Sequence, residues 1–172
     1  MANLRNIFSK IYDQYVDKIY RFIFLKVNSQ EIAQDLCSET FLRGWEAFKN
    51  QKEIENPSAF LYQIARNLVI DYYRQKGKTQ VVSVEFTPII DPRQNLEEKT
   101  LANSDLETIR LALQNLKEDY QNVIIWHYLD DLPISKVAKL LGRTEEATRV
   151  LLHRALNTLR GSINSEQRTI KQ

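Results

Sequence analysis

The chain has 172 residues, enough for one ordinary domain or two small ones. Hydrophobic residues make up 43% and charged residues 27%, a globular composition, and four glycines with four prolines are too few for a turn-rich all-β protein. The formal net charge is only +2, which excludes a strongly basic or acidic chain as a whole. The charge is unevenly spread. Residues 136–160 hold Lys136, Lys139, Arg143, Arg149, Arg154 and Arg160 against Glu145 and Glu146. Residues 66–78 hold Arg66, Arg74, Lys76 and Lys78 against Asp71. Two local basic stripes on a nearly neutral chain point to a polyanion met at two places. No apolar run approaches the roughly 18 residues of a membrane span, so no membrane insertion is expected. MANLRNIFSKIYDQY lacks a continuous apolar stretch and a small-residue cleavage site, so no signal peptide is expected. Cys37 is the single cysteine, which excludes an intramolecular disulfide and fits a reducing cytoplasm.

In chain order, residues 5–27 place Ile7, Ile11, Tyr15, Ile19, Phe22 and Leu25 at helical spacing and predict one amphipathic helix or a closely joined pair. Val27-Asn28-Ser29 is a break, and Ser29 can cap the next helix. EIAQDLCSETFLRGWEAF then puts Ile32, Leu36, Phe41 and Phe48 near one face. Asn50 to Asn56 is polar and reads as a loop. Asn56-Pro57 is a helix start, an N-cap residue followed by proline at the first helical position. That helix carries Leu61, Ile64, Ala65, Leu68 and Tyr72 on a buried stripe and Gln63, Asn67, Asp71 and Arg74 on another face. It is expected to stop near Gly77.

KTQVVSVEFTPIIDPRQNLEEKTLANS has no helical period in its first half and contains Pro88 and Pro92. A flexible linker is expected over 79–104, with a short extended segment at Val81, Val82, Val84 and Phe86. At ~3.3 Å per extended residue it spans well-separated sites. DLETIRLALQNL is amphipathic through Leu106, Ile109, Leu113 and Leu116, and EDYQNVIIWHYLDDL is the next predicted helix. ISKVAKLL and RTEEATRVLLHRAL close the block, with Gly142 between them. The tail SINSEQRTIKQ is expected to be loose.

The last two helices carry the most information. Val137, Ala138, Leu140 and Leu141 give the first its apolar face, and Ala138 lets a second helix approach closely. Gly142 can take positive φ and end it sharply. Thr144 is a good N-cap, and Glu145 and Glu146 suit a positive helix N-terminus. The second helix is expected to bury Ala147, Leu151 and Ala155 and to turn Arg149, His153 and Arg154 outward. Two short helices around a glycine turn form a helix-turn-helix, whose second helix fits the DNA major groove. Basic and hydrogen-bonding side chains there can hold phosphates and read base edges. Enzyme chemistry has no such support. His127 and His153 lie on different helices, and the chain has no metal-ligand spacing, nucleophile motif or phosphate loop, so no catalysis, cofactor or metal is expected.

DLPISKVAKLLGRTEEATRVLLHRALNTLR resembles the promoter-reading helix-turn-helix of bacterial RNA polymerase sigma factors, and the extracytoplasmic-function branch most of all. LQNLKEDYQNVIIWHYLDDL resembles the helices that precede it in that family. Residues 6–78 resemble the family's second conserved region, through AQDLCSETFLRGW and FLYQIARNLVIDYYRQK. The resemblance implies an all-α chain of two small helical domains. Region 2 would occupy 1–78, the linker 79–104, region 4 residues 105–163, and the tail 164–172. It implies −35 contacts from Arg143, Thr144, Arg149, Val150, His153 and Arg154. It implies −10 recognition and melting by Gln63, Arg66, Asn67, Arg74, Lys76 and Lys78, with Lys49 to Asn56 as the specificity loop. It implies docking on core RNA polymerase, at the β′ clamp helices through Asp35, Ser38, Glu39 and Leu42, and at the β flap. Promoter DNA and a cognate anti-sigma factor are the other expected partners.

Six positions, at four places, depart from the family's usual residues. Glu146-Ala147 stands in place of Gly-Thr, and Val150-Leu151 in place of a Ser-Arg pair. Ser38 replaces Gln and Phe60 replaces Trp. Val150 can offer DNA only an apolar contact, such as to a thymine methyl. Cys37 reads as a small apolar residue. The alternative is a stand-alone helix-turn-helix regulator, which would leave residues 6–78 without a role.

Overall fold

Long stretches free of proline, with apolar residues every three or four positions, fold here as seven α-helices among the described residues. The computed structural model describes residues 2–50, 54–80 and 101–170. The helices are α1 (Ala2–Val27), α2 (Gln30–Asn50), α3 (Pro57–Gln80), α4 (Leu101–Gln114), α5 (Glu118–Ile124), α6 (Ile134–Leu141) and α7 (Glu145–Ile170). A π-helical turn, Ile125–Leu129, follows α5. The chain divides into two compact units, Met1–Gly77 and Lys78–Gln172. Residues 81–100, which include the expected extended segment from Val81 to Phe86, and residues 51–53 lie outside the described residues.

In the first unit α1 packs along α2. The turn between them needs a left-handed residue, and Asn28 supplies it at φ 52. Ser29 then caps α2, its Oγ accepting from Ile32 N at 3.4 Å. Rings interlock across the pair: Phe8 lies 5.2 Å from Trp45 and 5.7 Å from Phe48, and Tyr12 lies 4.8 Å from Phe41. Ile7 was expected to face inward but is exposed, and Phe8 takes the inner position. The larger ring fills the space between helices, and the helical period turns its neighbour out.

The α3 helix starts as its sequence dictates. Asn56 Oδ1 accepts from Ala59 N at 3.1 Å and from Ser58 Oγ at 2.8 Å. Leu61, Tyr62, Ala65, Leu68 and Val69 are buried. Phe22 meets Tyr62 edge-on at 5.5 Å. Gly44 on α2 lets α3 come close, since a Cβ there would stand 2.9 Å from Leu61 Cδ2. The far end of α3 is tied down by Tyr73, whose hydroxyl donates to the Lys26 carbonyl.

In the second unit the end of α5 and the start of the π-turn are enclosed: Asn122, Val123, Ile124, Ile125 and Trp126 are consecutive buried residues, while Tyr128 and Leu129 are exposed. Asp130 N donates to Ile125 O at 3.0 Å, the bond that closes the wide turn. The sequence predicted one plain helix here. In α4 the inner face is Ala112 and Leu113, with Leu116 just beyond it, while Ile109, expected inside, is exposed.

Three helix ends differ from expectation. α3 passes Gly77 and ends at Gln80. α4 begins at Leu101, ahead of the expected Asp105. α7 passes Gly161 and reaches Ile170, so the tail from Ser162 to Ile170 is helical. Gly77 and Gly161 sit on exposed positions where a helical glycine costs only about 1 kcal/mol relative to alanine.

The Asn56 cap yields a direct test. Asn56→Ala leaves the Ala59 amide and the buried Ser58 hydroxyl without their acceptor. Urea unfolding of the first unit should show a loss of about 1–2 kcal/mol. An unchanged midpoint would contradict the role given to this cap.

Candidate nucleic-acid interface

The approach to α7 is set by a glycine turn. Gly142 has φ 64, in the left-handed region. Its N–H donates to Lys139 O at 3.2 Å and Arg143 N–H donates to Ala138 O at 3.0 Å. This paired pattern closes a helix tightly and requires a residue without Cβ strain at that position. Thr144 caps the next helix, its Oγ1 accepting from Ala147 N at 3.1 Å. Glu145 and Glu146 occupy the first turn, where the helix dipole favours carboxylates.

Past the cap, Thr148, Leu151, Leu152 and Ala155 are buried, and Arg149, Val150, His153 and Arg154 are exposed. Ala147 was expected inside, but it is exposed and Thr148 is wholly buried. A threonine tolerates that place because its hydroxyl donates to Thr144 O at 2.8 Å, leaving no unsatisfied polar atom. The structure therefore brings Arg149, Val150, His153 and Arg154 together in one outward row. Asn157 extends it by a turn, with Nδ2 lying 3.3 Å from His153 Nε2. Sequence reasoning missed Asn157, although its spacing of four from His153 was the available signal.

Arg143 and Thr144 sit before this row, in the turn itself. The Thr144 hydroxyl is engaged in the cap. Arg143 Nη2 reaches Asp119 Oδ2 at 2.6 Å and ties the turn to α5. Arg149 Nη2 lies 3.3 Å from Glu145 Oε2, both side chains more than half exposed. An exposed pair of that kind contributes at most about 1 kcal/mol, so it yields readily to a phosphate.

On α3 the buried stripe turns Gln63, Asn67, Asp71 and Arg74 outward. Gln63 Nε2 donates to Asn67 Oδ1 at 3.3 Å, so the two amides form one hydrogen-bonding surface. Arg74 Nη1 lies 3.8 Å from Asp71 Oδ1. Arg66 flanks the row and is half-buried. Lys76 is not in it: the helical period carries it to the other side, with its ammonium 5.9 Å from the Tyr72 ring centre. Lys78 lies in the last turn of α3, and its side chain is outside the described set.

On α2, Asp35, Ser38 and Leu42 are exposed, and Leu42 is an apolar residue left in solvent. Glu39 accepts from Arg43 Nε at 2.6 Å. Cys37, one residue from this surface, points the other way and is buried, with Sγ 4.0 Å from Val16 O. Burial, reinforced by the Asp17 carboxylate, pushes its thiol up to about 11. The thiol is therefore not a ready nucleophile at neutral pH.

Sigma-70 region 2 matches residues 11–79, and sigma-70 region 4 matches residues 106–159. The ECF RNA polymerase sigma factor BldN of Streptomyces coelicolor is 30% identical over 88% of this chain, which spans 58% of that relative. The RNA polymerase sigma factor YlaC of Bacillus subtilis is 29% identical, with 88% of each chain covered. In fold, the chain is similar to the sigma factor RpoE of Bartonella quintana, solved with the anti-sigma factor NepR. The TM-score is 0.70 at 20% identity, over 91% of this chain and 96% of that one. The fold is thus that of a two-domain, all-helical transcription initiation factor. The chain belongs to the sigma-70 family, in its extracytoplasmic-function branch, and is an RNA polymerase sigma factor. No helix among the described residues is long and apolar enough to cross a membrane.

Cys37 supplies a prediction with a defined sign. Its folded pKa lies above the unfolded value, so burial of the neutral thiol stabilises fully below about pH 9. That contribution is lost as pH rises from about 9 through 11. Stability should fall over this window, and Cys37→Ala should flatten the fall. Iodoacetamide at neutral pH should label the native thiol far more slowly than the urea-unfolded one. Equal rates would show that Cys37 is accessible.

Proposed function

We propose that the chain binds core RNA polymerase through α2, reads a −35 element with the outward row of α7, and reads and opens a −10 element with the outward row of α3. The observation that carries this reading is the pairing of two exposed polar rows, one in each unit, each backed by a buried stripe on the same helix. Arg149, His153 and Arg154 hold phosphates and read base edges in the major groove, and Val150 offers a methyl contact. Arg143 and Thr144 shape the entry to that helix, with any phosphate contact secondary to their structural bonds.

On α3, Asn67 and Gln63 present amide groups to the edge of an extruded base, and Arg66 and Arg74 attract the strand backbone. Lys76 and Lys78 extend that attraction at the end of the helix. Asp35, Ser38, Glu39 and Leu42 form the docking surface for the β′ clamp helices, with the β flap as the contact of the second unit. Binding and strand capture account for this activity without any catalytic group, so the chain is not an enzyme. It works on DNA in the cytoplasm. The solved neighbour carries an anti-sigma factor, which supports a cognate anti-sigma factor as the regulatory partner here.

Two variants test the assignment on a promoter selected by the reconstituted holoenzyme. Arg154→Ala should weaken binding to the upstream duplex by about 1–3 kcal/mol at fixed salt. Undiminished affinity would remove Arg154 from the interface. Asn67→Ala should lower the yield of open complex, read by permanganate footprinting, while leaving retention on core polymerase intact. Equal yields for variant and wild type would remove Asn67 from the melting site.

A further inference from the structure

We infer that a surface cavity between α1 and α2 receives an unstacked nucleobase of the separated promoter strand; the inference rests on the promoter-opening role proposed for the first unit. The cavity has a volume of about 300 Å³ and is lined by Arg5, Phe8, Ser9, Tyr12 and Trp45. Its walls are three aromatic side chains and its one charged lining group is a guanidinium. Phe8 and Trp45 lean together with ring centres 5.2 Å apart. Tyr12 remains 43% exposed although it packs on Phe41. Phe8 and Trp45 are half-buried between the helices, yet each leaves part of its ring on the cavity wall. Together with Tyr12 they form an open aromatic cleft.

Chemistry and position both favour a base. A nucleobase is flat and has two π faces, and stacking on aromatic side chains tolerates any sequence. The Ser9 and Tyr12 hydroxyls can meet the edge of a ring, and Arg5 a phosphate. A second cation stands at the rim, where Lys49 Nζ lies 5.8 Å from the Trp45 ring centre. Asp13 and Glu46 are adjacent in sequence but are not among the lining residues. The cavity also lies beside the start of α3. Leu61, two residues before Gln63, packs so close to Gly44 that an added Cβ would stand 2.9 Å from it and 3.7 Å from Phe8. Gln63 and Asn67 are exposed where Leu61 is buried, so the amides occupy another face of α3 and the cavity is a further surface of the same unit for a strand that passes the start of that helix. Such a surface adds affinity for opened DNA and little sequence preference.

The competing occupant is an apolar side chain of the polymerase, because Trp45 continues the α2 row of Asp35, Ser38 and Leu42. One set of measurements separates the two. The full-length chain is titrated at low salt with fluorescently labelled oligothymidylate and, in parallel, tested for retention on core polymerase. Tyr12→Ala should weaken oligothymidylate binding roughly 5- to 100-fold, with Tyr12→Phe close to wild type and retention unchanged. Arg5→Ala, at an exposed position, should make the log–log salt dependence shallower by about 0.7. Circular dichroism confirms that each variant is folded. Undiminished oligothymidylate affinity in folded Tyr12→Ala overturns the inference, as does absence of binding by the wild type. Loss of polymerase retention with oligothymidylate binding intact also overturns it and gives the cavity to the polymerase. Failure of the wild type to be retained on core polymerase strikes instead at the promoter-opening role.

Discussion

Two buried stripes fix everything this molecule presents to its surroundings. An α-helix repeats every 3.6 residues, so choosing which side chains go inside also chooses which go out. On α7, burial of Thr148, Leu151, Leu152 and Ala155 leaves Arg149, Val150, His153 and Arg154 no option but solvent. On α3, burial of Leu61, Ala65, Leu68 and Val69 does the same for Gln63, Asn67 and Arg74. Each large apolar side chain so buried contributes about 1.5–3 kcal/mol, far more than the exposed ion pairs beside it. The hydrophobic core is thus the device that aims the polar rows, and the surface charges are free to serve a partner.

Local hydrogen bonding refines what the cores impose. The glycine turn at Gly142 and the Thr144 cap set where α7 begins, and the Arg143–Asp119 pair holds that beginning against α5. In the first unit the Asn56 cap and the Tyr73 bond to the Lys26 carbonyl hold both ends of α3. A DNA-reading helix held at its entry presents its side chains at a defined angle, which sequence-specific contacts require. Arg143, expected as a DNA contact, also takes part in this scaffold through Asp119.

The features legible in the sequence were those whose chemistry is local. Asn56-Pro57, Gly142 and Thr144 announce a helix boundary through their own side chains or lack of one, and each boundary stands where expected. The two outward rows were legible because period alone decides them once the apolar residues are marked. What stayed hidden depends on tertiary surroundings. Nothing local in NVIIWHYL distinguishes an exposed helix face from five consecutive buried residues ending in a π-turn. Thr148 goes inside ahead of Ala147 because its hydroxyl finds a carbonyl one turn back, which only the folded geometry reveals. Gly77 reads as a stop and the tail from Ser162 as loose, yet α3 and α7 continue through Gly77 and Gly161 at modest cost on exposed positions. The aromatic cavity of Phe8, Tyr12 and Trp45 draws on two helices and has no signature in either alone.

The central claim is that the chain works as a subunit of RNA polymerase and not as an independent DNA-binding protein. Gel filtration of the purified chain with bacterial core RNA polymerase, the host's own included, tests it most directly. The account predicts that the two co-elute as one complex. Separate elution from every core tried would contradict it, and would leave the exposed row of Asp35, Ser38, Glu39 and Leu42 without a partner.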